Sequence, residues 1–367
     1  MMIMNLAIFG AQAIALGTSE AIHNLYPVRK VSCFLVSEQG KNPVKLAGIP
    51  VYELKTYAEK LSQEEKQNIE IMIATPETVM PAIEKLLDEH GLFCHVRLTS
   101  TRFAQLMSFL NVKDVSQMEH MPLSALPVGY HKANIHVYMA KFYKDKPLSK
   151  EYHMPEWVTP IQVGTSLCSE RVANILDSDG EHISDKNVNY SELTALYWMW
   201  KNRLLCNSNE ESMEYYGLSH YRRILDLSED DVLRLVDNDV DVVLPYPMPY
   251  EPTMEEHHKR YLKTEDWNAV LQALQELEPS YVMRLPEVLE QKYLYNYNII
   301  VARKEVLAGY CNWLFPILER VEELSVPKGC ERADRYIGYI GETLETVYFM
   351  VNRDRLNVAH AGCRFLT

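Results

Sequence analysis

Residues 216–224 read Tyr216-Gly217-Leu218-Ser219-His220-Tyr221-Arg222-Arg223-Ile224. The apolar run predicts a buried strand that ends in one histidine and two adjacent arginines. A strand end is where an α/β sheet presents residues to a ligand. Two planar guanidinium groups beside a histidine suit phosphate or pyrophosphate, so the expected ligand is anionic. The same arginines stand near Asp226, Glu229, Asp230 and Asp231, and surface ion pairs of that kind are common and contribute little. Adjacent strand residues point to opposite faces, so only one arginine easily reaches a given site. On this stretch alone both readings stay open.

The chain has 367 residues, a length that suggests about two domains. Hydrophobic residues make up 47% and charged residues 24%, which is ordinary for a soluble globular protein with a buried core. A net charge of −13 argues against a general nucleic-acid binder, since neutralising phosphates needs a basic surface. Cys33, Cys94, Cys168, Cys206, Cys311, Cys330 and Cys363 lie far apart, with no C-x-x-C pair. That pattern favours reduced thiols in a cytoplasmic protein and implies no zinc site. Met1 to Gly17 is apolar but lacks a basic leader, and Gly10, Gln12 and Gly17 punctuate it as a strand and turn would. Export is therefore not expected. No later run is long and apolar enough to span a bilayer, which leaves at most peripheral membrane contact.

Strands and helices alternate in the first part: Asn5 to Phe9, a helix near Ala13 to Leu25, Val31 to Val36, Leu54 to Lys60, Ile69 to Ala74, a helix from Val79 to His90, and Cys94 to Leu98. Such alternation implies a parallel sheet in a Rossmann-like domain. Its first loop, Phe9 to Gly17, stands where a dinucleotide-binding glycine loop would. Gln12 and Ala15 replace the second and third glycines, so a structural or regulatory sheet is preferred to phosphate binding. Lys45 to Tyr52 resembles a turn of the small Rossmann domains of some sugar-modifying acyltransferases. Met121 to Tyr130, with two prolines and a glycine, is read as the linker. The domains are placed at residues 1–125 and 130–367, the second starting on a strand from Ile135 to Met139.

In the second domain, Tyr190 to Asn202 predicts a helix with Ser191 as N-cap and Leu193, Leu196, Tyr197 and Trp200 as its core stripe. Glu192 is either a first-turn carboxylate favoured by the helix dipole or a ligand for a substrate hydroxyl. Asp237-Asn238-Asp239-Val240-Asp241 contains D-x-D patterns, but these precede a strand, and a solvated turn is the better reading. Ile337, Ile340, Leu344, Val347 and Tyr348 predict one buried helix face, with Arg335, Gly338, Glu342 and Glu345 opposite. Glu342, in the expected first turn, is either a general base beside a cleft or a solvent-facing carboxylate. Tyr295-Asn296-Tyr297-Asn298 leads into a strand from Ile299 to Ala302. Rings and amides in alternation suit carbohydrate, though core tyrosines with turn asparagines would read the same way.

From about Ile135 onward the chain resembles the domain of unknown function 4422 of bacterial capsular and exopolysaccharide synthesis proteins. The resemblance rests on Met154-Pro155, Pro160 to Gly164, Asp179 to Ser184 with Lys186-Asn187, and Tyr190 to Trp198. It continues in Gly217 to Arg223, Tyr295-Asn296, and Arg335 with Gly338 to Glu342. It implies a glycosyltransferase-A-like α/β domain after the Rossmann-like one, and a hexosyl transfer from a nucleotide-diphospho-sugar; some relatives are described as galactofuranosyltransferases, so UDP-galactofuranose or UDP-galactose is the implied donor. By the same resemblance Glu342 stands where inverting enzymes keep their base. His220, Arg222 and Arg223 would hold the donor diphosphate in place of a metal. Lys141, Gln162, Gly164, Asp179, Asn187, Glu192, Asn296, Asn298 and Arg335 would contact donor or sugar. The chain departs from the family pattern at Ala140, where histidine is frequent, and at His182, where asparagine is usual.

The expected partners are a nucleotide-diphospho-sugar and a glycan or lipid-linked glycan, met in the cytoplasm at the inner face of the membrane. No protein-held metal is expected, and Mn2+ or Mg2+ carried by donor phosphates is left open, as is a homo-oligomer. Two rivals stand beside this reading: an NAD-linked sugar-modifying enzyme using the first domain, and a non-catalytic carbohydrate-binding scaffold.

Overall fold

The computed structural model describes residues 6–112, 120–206 and 213–366. It divides into two compact units. One runs to residue 112 and takes in Met248–Glu251; the other comprises the described residues of His120–Pro247 and Pro252–Leu366.

The first unit contains β1 (Leu6–Phe9), α1 (Ala13–Leu25), β2 (Val31–Val36), β3 (Lys45–Leu46), β4 (Ile49–Glu53), α2 (Leu54–Lys60), α3 (Gln63–Asn68), β5 (Glu70–Ile73), α4 (Met80–Glu89), β6 (His95–Arg97) and α5 (Ser100–Val112). Asn5, expected to open the first strand, lies outside the described residues. The sheet order is β3-β4-β2-β1-β5-β6, with β1 parallel to both β2 and β5. Every residue of β1 is buried, as befits a central strand covered on both faces. Gly10 follows with φ +127, and a Cβ there would lie 2.6 Å from the Ala74 carbonyl oxygen. This close approach of two strand ends accounts for the glycine without any ligand.

In the second unit Leu123, which was expected in the linker, is 1% exposed and belongs to the core with Tyr215, Val243 and Val301. Its elements are β7 (Asn134–Lys141), β8 (Val158–Gln162), β9 (Ile175–Leu176), α6 (Asn187–Tyr190), α7 (Leu193–Met199), β10 (Glu214–His220), β11 (Arg223–Leu225), α8 (Glu229–Asp237) and β12 (Val242–Pro245). After β13 (Met248–Pro249), which groups with the first unit, come α9 (Met254–His258), α10 (Thr264–Leu277), α11 (Pro279–Glu290), β14 (Tyr293–Leu294), β15 (Ile300–Arg303), α12 (Lys304–Leu324), α13 (Tyr336–Val351), β16 (Val358–Ala361) and β17 (Cys363–Phe365). The main sheet has the order β16-β12-β15-β10-β7-β8-β9. β10 lies at its middle, parallel to β7 and antiparallel to β15. A Cβ on Gly217 would sit 2.5 Å from the Ile300 carbonyl oxygen, so the glycine is what lets β15 come so near. Both units are α/β, as the sequence implied.

Three expectations need correction. The strand expected over 216–224 is a hairpin: β10 stops at His220, Tyr221 and Arg222 form a two-residue turn, and Arg223 returns paired with His220. The expected helix over Tyr190–Asn202 is broken at Ser191, whose φ is +52; α7 starts at Leu193 and continues into a π-type turn over Trp200–Leu204. Ser191 is therefore no N-cap. In α13, Glu342 lies in the second turn rather than the first, and Gly338 and Glu345 are buried instead of facing solvent. This helix is packed against α6, α11 and α12, and a helix covered on several sides has no polar face for periodicity to find.

Candidate active site

Four segments of the second unit meet beside the end of β10. Gly341 allows this in α13, because a Cβ there would lie 2.7 Å from Leu193 Cδ1 and 2.9 Å from Asn298 Oδ1. Ser191, Tyr297 and Asn298 all have positive φ, at 52°, 75° and 50°. Left-handed backbone costs a non-glycine residue roughly 1 kcal/mol or more, and such strain concentrates at functional sites. All three serve one cluster. Ser191 precedes Glu192, Asn298 donates to Glu192 Oε1 at 2.7 Å, and the Tyr297 carbonyl lies 2.5 Å from His220 Nε2.

Glu192 is 5% exposed, and its carboxylate is turned into the site. Arg335 donates to it at 3.3 Å while its Nε holds the Ser191 hydroxyl oxygen at 2.8 Å. His220 Nε2 lies 3.7 Å from the same carboxylate. Glu342 is half-buried and accepts from Asn296 Nδ2 at 3.4 Å. Burial and then the Glu192 charge push its carboxyl up to about 8, against the lowering effect of the Tyr297 N–H, Asn296 and Arg335. Glu345, one turn on, is 1% exposed with neither oxygen hydrogen-bonded. Burial, then Glu342 and Glu192, push it well above the usual carboxylate range. Burial also lowers His220, with Arg223 and Arg335 in the same sense and Glu192 opposing.

Lys141 ends β7, and the segment after it forms a cleft of about 590 Å³ lined by Lys141, Tyr143, Asp145, Lys146, Lys150 and Tyr221 among others. Arg222 braces that segment: its guanidinium donates to the Lys146 and Pro147 carbonyls at 3.1 Å, and its Nε to the Tyr221 hydroxyl at 2.8 Å. The Asp145 carboxylate accepts from Phe142 N–H at 2.7 Å. Burial raises its pKa, and Phe142, Lys141, Arg222 and Arg335 oppose that rise. Arg335 is thus within electrostatic reach of both the cleft and Glu342. Arg223 is turned away from this cleft and lies 4.2 Å over the Tyr297 ring and 5.5 Å from that of Phe365.

The remaining expected site residues have structural partners. Gln162 is fully buried; its amide donates to the Glu170 carbonyl and accepts from Val172 N–H, both at 2.7 Å. Gly164 has φ +68, and a Cβ would meet Asn187 Oδ1 at 2.8 Å. Asn187 donates to the Ser191 carbonyl at 2.7 Å and so shapes the strained turn before Glu192. Asp179 has an exposed side chain, while its carbonyl accepts from Trp198 Nε1 at 2.5 Å. Of the D-x-D carboxylates, Asp237 closes α8, Asp239 lies in the turn after it and Asp241 directly precedes β12. Asp237 accepts from His131 and from Tyr130 N–H, and Asp239 and Asp241 pair with Arg303. Among the described residues no group of three or more His, Cys, Asp or Glu is arranged to hold a metal ion.

Sequence reasoning missed Asp177, which is completely buried. Its two oxygens accept from Gly164 N–H, from Thr165 N–H and hydroxyl, and from the Ser184 and Thr194 hydroxyls, at 2.5–3.1 Å. The carboxylate thereby ties the loop after β8 to the first turn of α7, next to Glu192. Its position directly after Ile175-Leu176 was the available signal. Of the lysine-lined cleft, sequence reasoning named Lys141 and missed Lys146 and Lys150.

The family described as Domain of unknown function (DUF4422) matches residues 146–353, more than half of the chain. Among solved structures, the apo structure of the WbbM bifunctional glycosyltransferase is similar, with 24% identity and a TM-score of 0.53 over 64% of this chain and 45% of that one. The chain spans less than half the length of that structure, and the likeness establishes a shared fold. No curated protein matches the chain.

Proposed function

The chain belongs to the DUF4422 family, and we propose on that premise that it transfers a hexosyl group from a nucleotide-diphospho-sugar to a hydroxyl of a glycan or lipid-linked glycan. The observation that carries this reading is Glu342, a half-buried carboxylate raised to about 8, with Arg335 acting on it and on a lysine-lined cleft alike. A base works best when its pKa is near the operating pH. Glu342 takes the acceptor hydroxyl proton as the acceptor oxygen bonds to the anomeric carbon, and the bond from that carbon to the diphosphate oxygen breaks. Lys141, Lys146 and Lys150 meet the charge of the departing diphosphate, with Arg222 holding their segment in place and adding its own field. A divalent ion such as Mn2+ or Mg2+ would enter on the donor phosphates. The resemblance to capsule and exopolysaccharide proteins supports an acceptor made at the cytoplasmic membrane face. Among the described residues no helix is long and apolar enough to cross a membrane.

Glu342 is mostly protonated at pH 7, so kcat/KM is expected to rise about tenfold per pH unit and level off near pH 8. A pH-rate profile checks this, and a flat profile from pH 6 to 9 removes Glu342 as the base. Arg222→Ala is expected to reduce turnover by about a hundredfold, through the cleft wall and the lost charge together. If Arg222→Ala keeps full turnover, the assignment of this cleft to the leaving group is wrong. Thermal stabilisation across nucleotides, nucleotide sugars, NAD and NADP, with and without manganese, tests the donor class. A shift with a uridine or guanosine diphospho-sugar supports transfer; a shift with NAD or NADP alone moves the function to the first unit.

A further inference from the structure

His220 was expected to meet phosphate as a cation, and its geometry gives it another task. Its Nε2 lies 2.5 Å from the Tyr297 carbonyl oxygen. A carbonyl oxygen only accepts, so Nε2 must carry the hydrogen. The ring is 14% exposed, and the charged groups facing it are Glu192 before α7, Arg223 on β11 and Arg335 before α13. Burial lowers its pKa, with both guanidinium groups in the same sense and with Glu192 and the bond to the Tyr297 carbonyl opposing, and the net lowering favours the neutral imidazole. Nδ1 then carries a lone pair, and it has no hydrogen-bond partner among the described residues.

We infer that His220 reads a sugar hydroxyl: Nε2–H is committed to the Tyr297 carbonyl, and Nδ1 accepts a hydrogen bond from a hydroxyl of the bound sugar. A phosphate oxygen at that place would set lone pair against lone pair, whereas a hydroxyl supplies the missing proton. Glu192, 3.7 Å from Nε2, is a second acceptor in the same corner, and Asn298 Nδ2 is held against it. This end of the site is thus built for a polyol, and the anion-binding end is the lysine-lined cleft. The inference rests on the transferase reading and assigns the sugar, rather than the diphosphate, to His220.

Ring 15N resonances of the histidines, with His220 assigned by its loss in His220→Gln, test it. Between pH 6.5 and 8 the free protein is expected to show His220 as the neutral Nε2–H tautomer. A nucleotide-diphospho-sugar that stabilises the protein is expected to move Nδ1, and the matching nucleoside diphosphate alone is not. In His220→Gln the amide keeps a donor toward Tyr297, and its oxygen, the one acceptor left, no longer stands at the position of Nδ1. Its Kd is expected to rise about tenfold for the nucleotide sugar, the worth of one hydrogen bond, and to stay unchanged for the nucleoside diphosphate. An imidazolium at pH 7, or equal responses to both ligands, overturns the inference alone. Absence of binding by any nucleotide sugar overturns it together with the transferase reading.

Discussion

Glu342→Gln is expected to lower turnover by about a thousandfold while leaving donor binding within about twofold. The amide keeps the shape and the contact with Asn296 but has no basic oxygen to take the acceptor proton. The same variant is expected to be more stable than the parent at pH 8. Glu342 has its carboxyl raised to about 8 in the fold and near 4.3 when unfolded. Between these values the folded state binds the extra proton, so this group's contribution to stability falls as pH rises, by about 1.4 kcal/mol per pH unit at most. The Gln variant escapes that loss, and the two proteins should converge near pH 4. Steady-state kinetics and thermal melts at pH 4, 6 and 8 check both halves. Full turnover in the variant would remove the base; a gain that does not grow with pH would mean that Glu342 titrates normally.

Asp177→Ala is expected to destabilise the second unit by about 3–5 kcal/mol, among the largest effects any single substitution can have here. Five donors from Gly164, Thr165, Ser184 and Thr194 would lose their acceptor. Each buried unsatisfied donor costs about 1–3 kcal/mol before the structure relaxes. Thr194 lies two residues past Glu192, so a variant that still folds should also lose transfer while keeping binding to the lysine cleft. Asp177→Asn offers one accepting oxygen in place of two and should fall between Ala and the parent. Urea unfolding followed through the tryptophans measures the loss. A cost below about 1 kcal/mol would mean that the donors find other partners.

The strand Leu218-Ser219-His220 was legible because a central strand of a covered sheet is an unbroken apolar run with its polar residue at the tip. The alternation of the first unit was legible for the same reason. What escaped depends on backbone that propensity does not encode. Ser191 takes φ +52 where Asn187 and Arg335 hold its carbonyl and hydroxyl, and the helix expected to start there starts at Leu193. Glu345 and Gly338 looked solvent-facing since α13 is packed on several sides and its period carries polar residues inward. In Asp177-Ser178-Asp179-Gly180 the resemblance drew attention to Asp179, whose side chain is exposed, and the buried carboxylate is two residues earlier. Alternation on a strand fixes which residues share a face, but not which of two acids meets the donors. Gln162, Gly164 and Asn187 were read as donor or sugar contacts, and the structure gives each a partner in its own chain.

The most direct test of glycosyl transfer is nucleoside diphosphate release from a panel of nucleotide-diphospho-sugars, with and without glycan acceptors, by the parent and Glu342→Gln. Transfer predicts release from one donor class, raised by an acceptor and reduced about a thousandfold in the variant. Release that is equal in the two proteins, or none from any donor while NAD or NADP binds, would contradict it.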